Sequence, residues 1–275
     1  MTSPGDAVTD HDPDSAAAFF GGELARARHR AGLTQEQLAE KLNYSRGAVA
    51  NVETAQRPPQ REFAERCDEI LGTDGLLLRA WKLVSRESVP AKYRGFIEEE
   101  ERAKSIHTYE QTFPPGLLQT QAYARELLAG VRMAYDNHVD TQVEARMRRQ
   151  EILRRDDPPR LRAVIDEAAL RRMIGGADVI RDQLEHLLKM GEMRHITIQV
   201  MPFAAGAHAA LNGQMTIFDR LNGQPVLYYE GPTGGHIMTE AGVVSDAVDR
   251  MDVLRAQALS PDESADMIRH VLEEL

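Results

Sequence analysis

Residues Thr34–Glu53 read TQEQLAEKLNYSRGAVANVE. They form two short segments with apolar stripes, separated by a polar turn. Thr34 with Gln37 three residues on is a capping-box pattern, in which each side chain satisfies the other's backbone N–H. Leu38, Ala39 and Leu42 recur at helical spacing and make a buried stripe. Asn43 and Tyr44 supply the turn. Ser45 then caps a third helix whose inner face is Val49 and Val52. With those valines inward, helical geometry turns Arg46, Gly47, Ala50 and Asn51 outward.

In a helix-turn-helix, the N-terminal residues of the second helix meet base edges in the major groove. Arg46 can donate a bidentate pair to guanine, and Asn51 can do the same at adenine. Gly47 and Ala50 are small enough for close approach. Gln35 at the start of the preceding helix, Ser45 at the cap and Arg57 just after the pair are candidates for phosphate contacts. An ordinary helical hairpin with surface Arg and Asn would show the same spacing.

The chain is acidic, with 275 residues and a net charge of -10. Its charge is unevenly distributed. Residues 1–18 contain Asp6, Asp10, Asp12 and Asp14 and no Lys or Arg. From Phe19 to Gly72 there are eight basic and eight acidic residues, so this module is neutral. A neutral module with locally presented arginines can meet phosphates, because net charge governs long-range steering more than docking. Binding to DNA should then depend steeply on salt.

Hydrophobic residues make up 42% of the chain, enough for a real core. No apolar run reaches the ~20 residues of a membrane helix. The N-terminus lacks the basic start and apolar block of a secretory signal. The lone Cys67 excludes an internal disulfide, so a reducing cytoplasm is the expected setting. Cys67 lies among Phe63, Ala64, Ile70 and Leu71 and reads as a small buried apolar side chain.

These patterns predict an α+β chain: an N-terminal all-α helix-turn-helix bundle followed by a mixed α/β C-terminal domain that ends in two helices. Residues 1–18 read as a disordered tail and 19–74 as the bundle, with its first helix at 20–30 and its fourth at 60–71. Residues 75–104 read as a helical connector that Pro90 breaks in two. Within it, IEEEE (97–101) reads as a solvated helix face, since adjacent carboxylates point in different directions around a helix.

Residues 105–275 form the second domain. SIHTYEQTF, RLRAVIDE, HITIQVMPF, GQMTIFDR, PVLYYEG and GHIMTE are strand candidates. Helices are expected at 120–129, 137–154, 167–190 with an interruption at Gly175-Gly176, 241–258 and 261–274. Pro261 suits the first position of the last helix.

Acid–base candidates are Asp166, Glu167, His186, His195, His208 and His236. No GxSxG or HExxH occurs, and one cysteine cannot build a multi-cysteine zinc site. The arrangement points to no catalytic centre, metal or cofactor. MPFAAGAHAALNG, between two strand candidates, is a candidate loop for a partner or ligand through Met201, Phe203, His208 and Leu211, or a plain hairpin connection. The arginines from Arg146 to Arg172 balance nearby acids, or offer a docking face for an acidic protein or extra DNA contact.

LARARHRAGLTQEQLAEKLNYSRGAVANVETAQRPP resembles the phage-repressor-like (Xre-type) helix-turn-helix family. That resemblance implies that Glu53 is a structural partner for an arginine of the first helix. The family has Gly where this chain has Ala55, which puts the sharpness of the turn before Arg57 in question. IHTYEQTFPPGLLQTQAYARELL, VEARMRRQEILRRDDPPRLRAVIDEAALRRMIGG, ITIQVMPFAAGAHAALNGQMTIFD and ALSPDESADMIRHVLEEL resemble an actinobacterial, antitoxin-like regulator group that includes the WhiJ-like proteins. This implies a transcription regulator in developmental or toxin–antitoxin-like control. The chain is expected to be a cytoplasmic homodimeric repressor of a palindromic double-stranded DNA operator. A small partner protein encoded nearby, or an effector, would act through the C-terminal domain. The rival expectation is a protein-interaction antitoxin whose DNA binding is secondary.

Overall fold

The computed structural model describes residues 15–87, 91–131, 139–221, 223–231 and 234–275. The chain divides into two compact units at Val89/Pro90.

The first unit is all helical. Helix α1 (Ala16–Arg30) begins earlier than expected because Ser15 caps it, its hydroxyl accepting from the Ala18 N–H. The expected tail therefore ends before Ser15, and residues 1–14 lie outside the described residues. Helix α2 (Gln35–Leu42) carries the capping box: Gln37 N–H donates to Thr34 Oγ1 at 3.2 Å and Thr34 N–H to Gln37 Oε1 at 2.8 Å. It stops at Asn43, which takes the left-handed conformation that Asn tolerates (φ 60°). Helix α3 (Arg46–Glu53) is capped by Ser45, and α4 (Arg61–Leu71) ends at the left-handed Gly72.

Helix α5 (Leu76–Glu87) belongs to this unit and is not part of a connector. The Asp68 carboxylate at the end of α4 accepts the N–H groups of Leu77 and Leu78 at 2.9 and 2.8 Å, satisfying orphan donors of the α5 N-terminus. Leu77, Ala80, Trp81 and Val84 join Phe20, Leu24, Leu38, Leu42, Val49, Val52 and Phe63 in one core. The other half of the expected connector, α6 (Ala91–Arg102), lies in the second unit, and Pro90 between them lies outside the described residues.

The second unit is built on a six-stranded mixed sheet, β1 (Ala103–Glu110), β2 (Arg160–Asp166), β3 (Ile196–Met201), β4 (Met215–Arg220), β5 (Val226–Gly231) and β6 (Gly234–Met238). Its order is β3-β2-β1-β4-β5-β6. The first three strands are parallel and the last three antiparallel to their neighbours. Parallel pairing demands helical crossovers. These are α7 (Gln121–Gly130) with α8 (Val139–Arg149), and α9 (Glu167–Arg171) with α10 (Ala177–Gly191). The break between the latter two is at Gly175 and Gly176, both with positive φ. Helix α8 closes with a 3-10 turn at Gln150–Arg154, and the start of the helix expected at 137–154 lies outside the described residues.

Two terminal helices follow, α11 (Ala241–Gln257) and α12 (Pro261–Glu273). One sheet face packs Ile106, Leu161, Ile165, Ile198 and Phe218 with Tyr123, Leu184, Leu187, Ile268 and Val271. The other packs Tyr109, Val164 and Ile217 with Ala247, Met251 and Leu254 of α11. The IEEEE segment departs from the solvated face expected of it. Glu100 is 2% exposed and receives both Arg149 Nε and Nη2, at 2.7 and 2.8 Å. Glu99 holds Arg220 of β4 in the same bidentate way.

Candidate nucleic-acid interface

Helix α3 presents its first turn and one flank outward. Val49 and Val52 are buried, while Arg46, Gly47 and Asn51 are exposed and Ala50 is half-buried. The outward face assigned from helical spacing is therefore the face that α3 offers. The Ser45 hydroxyl accepts from Ala48 N–H at 3.1 Å, so the residue expected at phosphate is also the helix cap. Its hydroxyl hydrogen remains available to donate.

The back of α3 is fixed to α1 and α2 by one carboxylate. Arg28 Nε and Nη2 donate to Glu53 Oε1 and Oε2 at 2.6 and 2.9 Å, and Arg28 Nη1 reaches the Leu33 carbonyl at 2.9 Å. Gln35 Nε2 adds a bond to Glu53 Oε2 at 2.8 Å. Burial pushes the Glu53 carboxyl up, but the bonds from Arg28 and Gln35 and the charge of Arg28 outweigh it and hold Glu53 below its ordinary range. Glu53 thus performs the structural role implied by its resemblance, with Arg28 as the partner. The part played by Gln35 was missed. One of its amide N–H bonds serves Glu53, leaving the second for a phosphate, and no local pattern announces a partner 18 residues away.

After α3 the chain turns through Ala55, which is left-handed (φ 57°) although it is not glycine. The turn is as sharp as a glycine would make it, which answers the question its side chain raised. Arg57 N–H bonds the Asn51 carbonyl at 3.1 Å and places the Arg57 side chain on the surface. The close approach of α1 to the end of α3 depends on Gly21, where a β-carbon would lie 2.5 Å from the Glu53 carbonyl oxygen.

Of the residues of the second unit proposed for acid–base work, the structure brings Asp166 and His208 together, with Asp166 Oδ2 3.9 Å from His208 Nε2 and the Tyr109 hydroxyl bonded to both. Asp166 caps α9 through Ala168 N–H and accepts the Tyr109 hydroxyl at 3.0 Å. The His208 side chain is 4% exposed and packs edge-on against Tyr109. Its Nδ1 accepts from Ala210 N–H at 3.3 Å, which leaves the proton on Nε2, beside the Tyr109 hydroxyl. Glu167 accepts from Arg171 and from Phe203 N–H. His195 bonds the Leu153 carbonyl, and His236 is exposed. His186 is pulled below its ordinary value by burial, with the charges of Lys189 and Arg154 adding to the effect.

Among the described residues no group of three or more His, Cys, Asp and Glu could hold a metal. In the candidate loop, Phe203 and Leu211 are exposed, whereas Met201 is a core residue and does not line a surface. Cys67 is buried, and desolvation pushes its thiol up to about 12.

A helix pair of this geometry, with its second helix pinned from behind and bare in front, defines the helix-turn-helix class, and residues 20–81 match the family model described as a helix-turn-helix domain. Residues 93–270 match the model of the domain of unknown function DUF5753, and the chain belongs to that family. No curated protein and no solved structure matches it. Among the described residues no helix is long and apolar enough to cross a membrane.

Proposed function

We propose that this chain is a sequence-specific DNA-binding transcription regulator, a cytoplasmic homodimeric repressor of the antitoxin-like, WhiJ-like kind. Arg46 and Asn51 read base edges, Gly47 and Ala50 allow close approach, and Gln35, Ser45 and Arg57 contact phosphate. The observation that carries this reading is the exposed Arg46–Asn51 flank of a helix whose opposite side is locked by the Arg28–Glu53–Gln35 bonds. Base readout needs this kind of pre-positioned helix, because side chains must meet donor and acceptor patterns without ordering the backbone first.

The second unit, on this reading, is non-catalytic: it dimerises the chain and engages a small partner protein or an effector. Exposed Phe203 and Leu211 support a second reading, a protein-interaction antitoxin with secondary DNA binding.

Fluorescence anisotropy with promoter DNA of the protein's own gene, against scrambled DNA at several salt concentrations, tests the first reading. Arg46→Ala is expected to lose about 1–3 kcal/mol of specific binding. Arg57→Ala should weaken both DNAs alike and reduce the salt slope by about 1. Equal affinity of the native chain for both DNAs, or no effect of Arg46→Ala, would leave base readout by α3 without support and favour the second reading.

A further inference from the structure

One face of the sheet in the second unit changes chemistry abruptly. The register sets Ile106, Phe218 and Val226 side by side across β1, β4 and β5, all buried. Two residues along, the row is Thr108, Thr216 and Tyr228. Strand alternation then brings Glu110 and Glu230 to the same face, with Gly235 of β6 opposite Glu230. Gln214, just before β4, joins them by donating to Glu230 Oε2 at 3.3 Å. An apolar row has given way to two polar ones at one end of the sheet.

Three groups at this end have fewer partners than their burial calls for. Tyr228 is 5% exposed, and its hydroxyl has no hydrogen-bond partner among the described residues. That hydroxyl lies over Gly235, where a β-carbon would fall 2.0 Å from the oxygen. The bare glycine lets the phenol reach the row of Glu110 and Glu230. Arg146 of α8 is packed in by protein, which pulls its guanidinium down to about 10. Its one side-chain hydrogen bond among the described residues is to a neutral oxygen, Gln119 Oε1, at 2.7 Å. Among the described residues Glu110 is bonded only by the Thr108 hydroxyl at 3.1 Å, and burial pushes its carboxyl up to about 8.

Arg146 and Glu110 sense one another's charge without a bond between them. Arg149, one helical turn further along α8, shows what the fold does with a purely structural arginine: it pairs it fully, with Glu100. Arg146, Glu110 and Glu230 also keep accessible surface while packed about by protein, so they are half-buried and not sealed in a core. A buried guanidinium lacking a carboxylate and a buried carboxyl lacking a cation are each costly. A single molecule carrying both complements would relieve both.

We propose that this end of the sheet binds a small zwitterion bearing a primary ammonium and a carboxylate, of the α-amino acid or dipeptide class. Its carboxylate meets Arg146, its ammonium meets Glu110, and the Tyr228 hydroxyl donates to an oxygen of the same carboxylate. This goes beyond the DNA-binding reading and does not rest on it.

Titration calorimetry of the full chain with each of the twenty common amino acids and with Ala-Ala tests it, in the absence of DNA. At least one probe should bind saturably. Its analogue lacking the amine, and the one lacking the carboxylate, should each bind at least about tenfold more weakly. Tyr228→Phe, which removes one oxygen and keeps the ring, should weaken binding by about tenfold, as should Glu110→Gln. If Glu110→Gln does not fold, Tyr228→Phe decides alone. Absence of saturable binding by every probe overturns the proposal, and so does binding that Tyr228→Phe leaves unchanged. Because no DNA is present, failure here leaves the helix-turn-helix reading intact, and the reverse holds too.

Discussion

Replacing Glu53 by Gln would test whether α3 is held as its hydrogen bonds indicate. The Arg28 and Glu53 side chains are 8% and 6% exposed, so solvent does little to soften the loss of either charge. The variant leaves a buried guanidinium without its counter-charge. Removing one partner of a buried pair costs about 3–5 kcal/mol. The retained amide oxygen and the Arg28 bond to the Leu33 carbonyl place this case near the lower end. The chain has one tryptophan, Trp81, and it lies in the core of the first unit. Its fluorescence in urea therefore follows that unit within the full chain. With an m-value of about 1 kcal/mol/M for a unit of this size, the midpoint should fall by about 3 M. The pH dependence has a definite sign. Glu53 is held below its ordinary value, so its contribution is full above about pH 4.3 and is lost as pH falls through the folded value. In Glu53→Gln that portion of acid sensitivity should be missing. A loss below about 1 kcal/mol, the worth of an exposed pair, would refute the claim that this carboxylate pins the helix.

Three further outcomes are expected. Ala55→Gly should stabilise the first unit by about 0.5 kcal/mol in the same urea assay, since relief of a left-handed Ala slightly exceeds the entropy cost of Gly. Gly21→Ala should destabilise it by about 1–3 kcal/mol, because the new methyl meets the carbonyl of Glu53, which is backbone and has nowhere to go. Cys67 should resist a thiol reagent at pH 8 in the folded chain and react promptly in denaturant, given burial and a thiol pushed up to about 12; fast labelling of the native protein would mean that the α4 core opens readily.

What could be read from the sequence, and what could not, divides by distance along the chain. Capping at Thr34 and Ser45 and the Gly175-Gly176 break are decided by residues close together in the chain, and each was visible. The α3 outward face was visible for the same reason: once Val49 and Val52 are inside, geometry fixes Arg46 and Asn51. Glu100 was misread as solvated because its partner Arg149 is 49 residues away and the run of four glutamates looks uniform locally. The assignment of α5 failed in a related way. Its link to the first unit is the Asp68 carboxylate reaching Leu77 and Leu78, a side-chain cap with no sequence signature of its own. Helical spacing can say which way a side chain points but not whether an opposite charge waits there.

That distinction also separates the two sites. The α3 face is a local object, and a pattern in twenty residues can propose it. The polar end of the sheet is assembled from β1, β4, β5 and α8, and in sequence Thr108, Glu110, Arg146, Tyr228 and Glu230 are unremarkable. Only the register shows that the face turns polar, and only the hydrogen bonds show that Arg149 is paired where Arg146 is not. The comparison of two arginines three residues apart on one helix gives the second site its weight. Among the described residues a carboxylate is hydrogen-bonded to Arg149, whereas Arg146 bonds only the neutral Gln119 oxygen.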